Sequence, residues 1–291
     1  MDYTYYPGCS LEVSNKAYDI SSRQVSKVLG ANLIELDDWN CCGATNYMSV
    51  RELRSFAISA RNLALAEKQK RDLVTVCSAC YTTLSKTHDY LTDNDELRAD
   101  INDALSAVQL NYGGTTRVRH LLDVYVNDVG IDVIAQKAKV KLSGLRVAPY
   151  YGCQLTRPNA TFDDAEFPVT MDKLFAALGA EIAHYPLKAK CCGGMLMTTA
   201  EKVALRLTKN LLECAVKDKA DCIVTTCPLC QFNLDAYQDQ VNSMFGTSLS
   251  IPILYFTQLI GIALGMTGQE VALGQEIVPA DRVLTQYMGG R

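Results

Sequence analysis

Two cysteines stand side by side at Cys191 and Cys192, directly before two glycines, in the stretch CCGGMLMTTAE. A second pair, Cys41 and Cys42, also precedes a glycine. Thiolates are ligands for zinc and for the iron of iron–sulfur clusters. Because glycine has no Cβ, it permits a tight turn that brings the backbone close to such a group. The doubled cysteines therefore indicate a metal site.

Ten of the twelve cysteines fall into two sets of five with nearly the same spacing. In the first set, 31 residues separate Cys9 from Cys41, and 34 separate Cys42 from the Cys-x-x-Cys motif. In the second set the corresponding gaps are 37 and 34 residues. The candidate ligands are Cys9, Cys41, Cys42, Cys77 and Cys80 in one set, and Cys153, Cys191, Cys192, Cys227 and Cys230 in the other. The repeat indicates a duplicated module, and Cys214 and Cys222, which have no counterparts, are assigned to structure.

Net charge and the distribution of charged and apolar residues argue against several classes of protein. The 291 residues carry a net charge of −4, and no dense cluster of Lys and Arg is present, which argues against a nucleic-acid partner. The amino terminus lacks the basic and apolar regions of a signal peptide, so we expect a cytoplasmic protein with reduced thiols. The longest apolar run, 251–266, is too short for a membrane span and predicts a buried strand followed by a core helix.

The elements around the cysteines alternate between strand and helix. Two capping-box patterns, Ser49-x-x-Glu52 and Thr198-x-x-Glu201, predict helices after each Cys-Cys-Gly. The residues predicted to face a sheet are Leu53, Phe56, Ala57, Ala60, Leu63 and Ala64 in one helix, and Val203, Ala204, Leu207, Leu211 and Leu212 in the other. Strand-like runs at 73–76 and 223–226 end at the Cys-x-x-Cys motifs, and another at 146–150 leads to Cys153.

These patterns predict an α/β protein of two duplicated Rossmann-like modules with mostly parallel sheets, related by a pseudo-twofold axis. We place the modules at residues 1–142 and 143–291. Ligand sites in such sheets lie at the carboxyl ends of the strands, where these cysteines fall.

The number of ligands narrows the choice of metal. Zinc and a cubane iron–sulfur cluster each take four protein ligands, so a fifth cysteine favours a larger or irregular iron–sulfur cluster. Two readings remain open at this point, a zinc site and cysteines that merely fill a core, although the second does not explain the repeated spacing.

The two sets resemble the duplicated pattern Cys-x(31–39)-Cys-Cys-x(35–36)-Cys-x-x-Cys of the B subunit of heterodisulfide reductase over essentially the whole chain, although both 34-residue gaps of this chain are slightly shorter than the 35–36 residues of that pattern. The resemblance implies a noncubane [4Fe-4S] cluster on each set of five cysteines and reductive cleavage of a disulfide such as that of coenzymes M and B. It also implies two partner subunits, one flavin-containing and one small and ferredoxin-like. Methanogen members commonly have histidine where this chain has Gln154, so the chain looks more like the bacterial branch and its substrate could be another small or protein-bound disulfide.

Few other residues suggest chemistry. His120 and His184 are candidates for a role near a cluster, and the cations Arg157, Lys188 and Lys190 are candidates for attracting an anionic disulfide, while Trp39 is expected to anchor a core. The chain has no Gly-x-Gly-x-x-Gly motif for a dinucleotide, so we expect it to depend on partners for electrons. Alternative functions are an electron-relay subunit of an organic-acid dehydrogenase or fumarate reductase and a non-enzymatic zinc or redox scaffold.

Overall fold

The computed structural model describes residues 1–44, 50–157 and 163–288. Each half contains one sheet of four parallel strands. The first sheet has the order β2-β1-β3-β4, with β1 Asp2–Tyr6, β2 Asn32–Glu35, β3 Leu73–Thr75 and β4 Val118–His120. The second has the order β6-β5-β7-β8, with β5 Arg146–Tyr150, β6 Glu181–Ile182, β7 Cys222–Thr225 and β8 Ile253–Tyr255. The identical strand order confirms the predicted α/β fold with duplicated parallel sheets.

Helices connect the strands and cover the sheets. Those of the first half are α1 Cys9–Val13, α2 Lys16–Leu29, α3 Glu52–Glu67, α4 Ser78–Asp93, α5 Asp95–Ser106 and α6 Leu121–Asp123, then a π-helical segment Val124–Gly130 and α7 Ile131–Lys137. Those of the second half are α8 Thr170–Ala177, α9 Leu196–Thr199, α10 Glu201–Lys217, α11 Pro228–Ala236, α12 Gln238–Phe245, α13 Phe256–Ala263 and α14 Asp281–Leu284, then a 3₁₀ turn Thr285–Tyr287. Across the described ranges, no helix is long and apolar enough to cross a membrane.

Helices cover both faces of each sheet, so its central strands are shielded from solvent. Every residue of β3 and β7 is buried, which accounts for their continuous apolar and β-branched sequences. The apolar run that begins at Ile251 forms β8 and α13, and both are buried throughout, as predicted. β3 and β7 are each separated by one residue from a Cys-x-x-Cys motif, so the packing of the sheet positions that motif.

The predicted helix starts are only partly right. The capping residue Ser49 lies outside the described residues. Helix α10 begins after Ala200 without a side-chain cap, so the box predicted at Thr198 is wrong. Thr198 instead belongs to the short helix α9, and its hydroxyl donates to the carbonyl of Met195 at 2.8 Å. Because Thr198 lies inside α9, two residues before the N-cap position at Ala200, it is not placed to cap α10.

Two residues predicted to face a sheet are exposed. Leu53 and Val203 are 55% and 53% exposed, respectively. Both lie in the first turn of their helices, and helical spacing alone does not tell where the packed part of a helix begins. Farther along, Phe56, Leu63 and Leu211 are buried as predicted.

The two halves share part of their core. The ring of Tyr18 on α2 stacks on that of Tyr255 at the end of β8, with centroids 4.0 Å apart. Beside this pair, the hydroxyls of Ser21 and Thr257 are 2.7 Å apart. One buried apolar cluster accordingly contains residues of both halves. The boundary between residues 142 and 143 stays a prediction.

Candidate metal centre

All ten candidate cysteines lie beyond the carboxyl ends of strands. Cys9 follows β1 and Cys77 follows β3, while Cys153 and Cys227 follow the equivalent strands β5 and β7. The doubled cysteines stand in the segments after β2 and β6. Because parallel strands end at the same edge of a sheet, residues far apart in sequence meet there.

A chain of contacts joins the thiols of the first set. The sulfurs of Cys9 and Cys41 are 3.8 Å apart, and those of Cys42 and Cys80 are 3.3 Å apart. The thiols of Cys42 and Cys9 also lower the pKa of Cys41, and those of Cys42 and Cys77 raise the pKa of Cys80, so these thiols are neighbours. The order Cys9–Cys41–Cys42–Cys80–Cys77 thus contains all five cysteines predicted for this set.

The second set repeats the arrangement. The sulfurs of Cys192 and Cys230 are 3.6 Å apart. The neighbouring thiols of Cys153 and Cys192 lower the pKa of Cys191, and those of Cys230 and Cys77 lower the pKa of Cys227. Cys222, predicted to be structural, lies in β7, where burial raises the pKa of its thiol. Within the described residues it takes no part in these contacts.

The two sets meet each other. Across the two halves, the neighbouring thiol of Cys227 raises the pKa of Cys77, and those of Cys230 and Cys77 lower the pKa of Cys227. Next to them, the Ser78 hydroxyl donates to the carbonyl of Thr226 at 3.2 Å. The ten sulfurs therefore form one continuous group, in which the two Cys-x-x-Cys loops make a shared wall.

Tyrosine and glycine hold the cysteine segments together. The hydroxyl of Tyr6 donates to the carbonyl of Asn40, the residue before Cys41, at 2.7 Å. The hydroxyl of Tyr150 donates in the same way to the carbonyl of Lys190, before Cys191, at 2.7 Å. This contact explains why a tyrosine stands three residues before the first cysteine of each set.

The glycines are required by the backbone and by space. Gly43 and Gly193, after the doubled cysteines, have φ values of 77° and 100°, which L side chains rarely adopt. A Cβ on Gly8 would lie 3.1 Å from the Cys80 sulfur, and one on Gly152 would lie 3.1 Å from the Cys230 sulfur. Each glycine therefore keeps the backbone of its cysteine loop close to the sulfurs.

The electrostatics of the thiols suit metal binding. Hydrogen bonds from Cys42 and Cys9 lower the pKa of Cys41 to about 2. Those from Cys153 and Cys192 lower the pKa of Cys191 to about 2. At neutral pH both are thiolates, which is the form of cysteine that binds metal.

The donor set fits a multi-iron group better than a single ion. Within the described parts of the chain, no group of three or more His, Cys, Asp or Glu side chains has the arrangement needed to hold one metal ion. The five thiols of each set extend as a chain of pairwise contacts, which weighs against a tetrahedral zinc site. Five sulfurs beside close-approaching glycine backbone fit an iron–sulfur cluster.

Further polar groups at the site were not predicted. The Asn233 side-chain amide donates to the Cys192 sulfur at 3.5 Å and to the Gly194 carbonyl at 3.0 Å. The hydroxyl of Tyr18 is fully buried and has no hydrogen-bond partner among the described residues, and burial, followed by the charge of Cys227, raises its pKa. Asparagine and tyrosine on helices carry no local signal of such a role, because only the fold brings them to the cysteines.

His120, one of the two histidines predicted to act near a cluster, lies between the two Cys-x-x-Cys loops. Its Nε2 is 3.0 Å from the Val76 carbonyl and 3.2 Å from the Thr226 carbonyl. Burial lowers the pKa of His120 to about 4, so the ring is neutral at pH 7. His184, in contrast, is exposed, and its backbone N–H donates to Asp218.

The predicted cations are already paired. Lys188 contacts the carboxylate of Asp172. Arg157 and Lys190 lie 3.4 and 3.9 Å from oxygens of Glu166. These pairs weigh against a role in attracting an anionic disulfide. Trp39, expected in a core, is partly exposed, and its ring meets that of Tyr6 edge-on at 5.3 Å.

A cavity of about 250 Å³ opens beside the second set of cysteines. It is lined by Cys153, Cys191, Cys192, Cys227 and Cys230 together with Ser78, Tyr151, Gly152, Gln154, Gly194, Met195, Leu196, Thr199 and Leu229. Met195, Leu196 and Thr199 are exposed at its rim, so the cavity is open to solvent there. Ser78 comes from the first half, and the carbonyl of Gln154 accepts a hydrogen bond from Thr82, also of the first half. Both halves therefore contribute to the wall.

Comparison with known proteins agrees with this architecture. The model of the CCG cysteine-rich domain matches twice, at residues 3–85 and 147–235. The membrane anchor subunit of 8-methylmenaquinol:fumarate reductase from Wolinella succinogenes is 33% identical over 97% of this chain and 99% of its own length. The B subunit of ferredoxin:CoB-CoM heterodisulfide reductase from Methanosarcina mazei is 31% identical over 93% of this chain and 92% of its own length.

The fold also has a solved counterpart. A crystal structure of a hypothetical protein from Helicobacter pylori aligns with a TM-score of 0.79 and 15% identity, covering 96% of this chain and 52% of that one. At that identity the likeness concerns the fold alone. The sequence relatives confirm the resemblance to the B subunit of heterodisulfide reductase and point to iron–sulfur electron transfer.

Proposed function

The chain belongs to the family of CCG cysteine-rich domain proteins that includes the B subunit of heterodisulfide reductase, and from that membership we propose that it reduces a disulfide by means of two iron–sulfur clusters. The observation that carries the proposal is the shared wall. The thiols of Cys77 and Cys227 are close enough for each to affect the pKa of the other, and a solvent-open cavity is lined by Cys227 and by Ser78, the neighbour of Cys77. A centre placed on each cysteine set would thus be next to the other and within reach of a small substrate.

The ligands in this proposal are the ten predicted cysteines. Each set would hold one [4Fe-4S] cluster of the noncubane type. The thiol order Cys9–Cys41–Cys42–Cys80–Cys77 and its repeat support five ligands per cluster. The thiolate character of Cys41 and Cys191 and the close glycines Gly8 and Gly152 support the same assignment.

The reaction needs two electrons and two protons. The S–S bond of the substrate breaks, each sulfur gains one electron and one proton, and two thiols leave. When bound, each cluster supplies electrons one at a time. The chain contributes the cavity. Substrate and water enter at its rim, beside the exposed Met195, Leu196 and Thr199, and the buried Cys227 and Cys230 form its inner end. Protons enter from solvent at the same rim.

The electrons come from other subunits in this proposal. Relatives of the chain are named as subunits of larger reductases, which implies partner chains. We propose that a flavin-containing partner is the source of electrons and that a ferredoxin-like partner carries them to this chain. The substrate is a small-molecule or protein-bound disulfide.

A second candidate function has its own support. The fumarate reductase relative is 33% identical over nearly the whole chain, which favours an electron-relay subunit of a fumarate reductase-type complex. A relay passes electrons to a partner and has no use for a substrate cavity. The two candidates therefore differ in what the cavity beside Cys227 does.

One experiment separates them. The protein is purified without oxygen, and its iron, sulfide and zinc are counted, with about eight irons per chain expected for two clusters. Electron paramagnetic resonance spectra are then recorded with and without a small thiol, and reduction of small disulfides is measured with a reduced viologen dye. Leu196→Trp should obstruct the cavity, whereas Val203→Trp changes an exposed residue outside its lining.

A disulfide reductase should show a thiol-dependent spectrum and lose disulfide reduction in Leu196→Trp but not in Val203→Trp, with iron unchanged in both. Full iron with no response to thiols or disulfides would favour the relay. Zinc with little sulfide would overturn the iron–sulfur assignment itself.

A further inference from the structure

His120 makes contacts that no other described histidine makes. It is the last residue of β4 and is fully buried. Its Nε2 lies between two carbonyl oxygens, that of Val76 at 3.0 Å and that of Thr226 at 3.2 Å. Val76 directly precedes Cys77, and Thr226 directly precedes Cys227. One ring nitrogen thus joins the starts of the two Cys-x-x-Cys loops.

The other ring nitrogen determines where the proton is. Nδ1 accepts a hydrogen bond from the backbone N–H of Leu122 at 3.1 Å, so it carries no proton. The neutral ring therefore has its proton on Nε2, and that proton is shared between the two carbonyls. Without it, the Val76 carbonyl would lose this donor and the Thr226 carbonyl would keep only the Ser78 hydroxyl, so the link that His120 makes between the two loops would be lost.

The equivalent residue of the other half does something different. Aligning Gly130 with Gly265 places Tyr255 opposite His120. The Tyr255 hydroxyl accepts from Asn15 at 2.5 Å and donates to Gln231 at 3.2 Å. His120 is thus not a by-product of the duplication, since the repeated strand ends in a residue with other partners.

We propose that His120 is a positioning residue that fixes the spacing between the loops Cys77–Cys80 and Cys227–Cys230, and through them the distance between the two metal sites. His120 acts directly on the distance between the Cys77 and Cys227 sulfurs, and this effect does not depend on any bound group. The effect of His120 on electron transfer rests on the proposed function. The test therefore begins with the metal-free full-length chain.

Two substitutions separate the contacts of the ring. His120→Gln places an amide donor near the position of Nε2 and so keeps the bond to the carbonyls, but it loses the acceptor for Leu122. His120→Asn keeps a short acceptor for Leu122 but does not reach the carbonyls. The volume of the side chain decreases in both, so they serve as controls for each other.

The first measurement is cross-linking of the metal-free chain with diamide, a thiol oxidant that takes two electrons and two protons from a thiol pair as the S–S bond forms. Peptide mapping gives the ratio of the Cys77–Cys227 bridge to bridges within a half, such as Cys42–Cys80. We expect His120→Asn to lower this ratio about tenfold, which corresponds to about 1.4 kcal/mol, the net contribution of a typical hydrogen bond. We expect His120→Gln to restore most of it.

The second measurement uses the iron-loaded protein. The magnetic interaction between the two clusters, seen as broadening in the electron paramagnetic resonance spectrum, should weaken in His120→Asn and persist in His120→Gln. A normal bridge ratio in His120→Asn, or an equal fall or loss of folded protein in both variants, would overturn the proposal. A lowered ratio in a chain that binds no iron would keep this proposal and refute the proposed function instead.

Discussion

Replacing Gly152 by alanine should empty the second metal site without unfolding the protein. The added Cβ would lie 3.1 Å from the Cys230 sulfur. Non-bonded heavy atoms are best placed about 3.5–4.0 Å apart, so the sulfur must move by about 0.4 Å or more. It has little room, because the Cys192 sulfur already lies 3.6 Å away. Since metal–ligand distances tolerate only about 0.2 Å, the shift should prevent binding.

Backbone strain must be separated from this contact. Gly152 has a φ of 70°, and an alanine in that conformation costs about 1–2 kcal/mol. Gly246 has a φ of 65°, and its added Cβ would meet nothing within 4 Å among the described residues. Gly246→Ala is therefore a matched control for the backbone: in the metal-free chain, the strained conformation should lower the Tm of each variant by a similar amount, about 2–8 °C.

The assay is iron and sulfide per chain after anaerobic purification, together with thermal unfolding. We expect Gly246→Ala to keep about eight irons per chain and Gly152→Ala to keep about four. Gly8→Ala, whose Cβ would lie 3.1 Å from the Cys80 sulfur, should empty the first site instead. Full iron content in Gly152→Ala would refute the argument that this glycine makes room for the metal ligand.

Three further results are expected. Tyr18→Phe should leave the stability of the metal-free chain unchanged or raised, because the buried hydroxyl has no hydrogen-bond partner in the described part of the chain. In a redox titration it should lower the midpoint potential of a cluster if that hydroxyl donates to a cluster sulfur. Cys41→Ser should lower iron content while Cys214→Ser leaves it at the normal level, as measured by metal analysis. Hydrogen bonds from Arg119 lower the pKa of Asp128. The stability that Asp128 contributes is therefore present above the unfolded pKa of about 3.9 and is lost as pH falls through the folded pKa. Asp128→Asn should flatten the fall of Tm below about pH 4, and an unchanged slope would contradict this.

Much of the site could be predicted because its signals are local. Spacing alone identified the two sets of five cysteines, and the positions of short β-rich runs placed Cys77 and Cys227 at strand ends. The glycine after each doubled cysteine indicated a turn, and the positive φ of Gly43 and Gly193 confirms it. In each case the residue and the structural requirement lie within a few positions of each other.

The contacts between the halves could not be predicted in this way. The spacing of residues within one copy does not determine how the copies face each other, so the meeting of Cys77 with Cys227 had no signal in the sequence. His120 was suspected only as one of few histidines, and its bonds to Val76 and Thr226 depend on that meeting. The pairing of Tyr18 with Tyr255 was missed for the same reason.

The shared wall, more than the number of cysteines, favours disulfide reduction over electron relay. A relay works with centres in a line, and its two ends face different partners. Disulfide cleavage takes two electrons, so centres that each supply one must reach the same bond, or one sulfur is left as a radical. Cys77 and Cys227 as neighbours across the two halves, with the cavity beside Cys227, form the arrangement that this requirement predicts. Under the proposed function, duplication of the module is useful because the two copies face each other at their Cys-x-x-Cys loops.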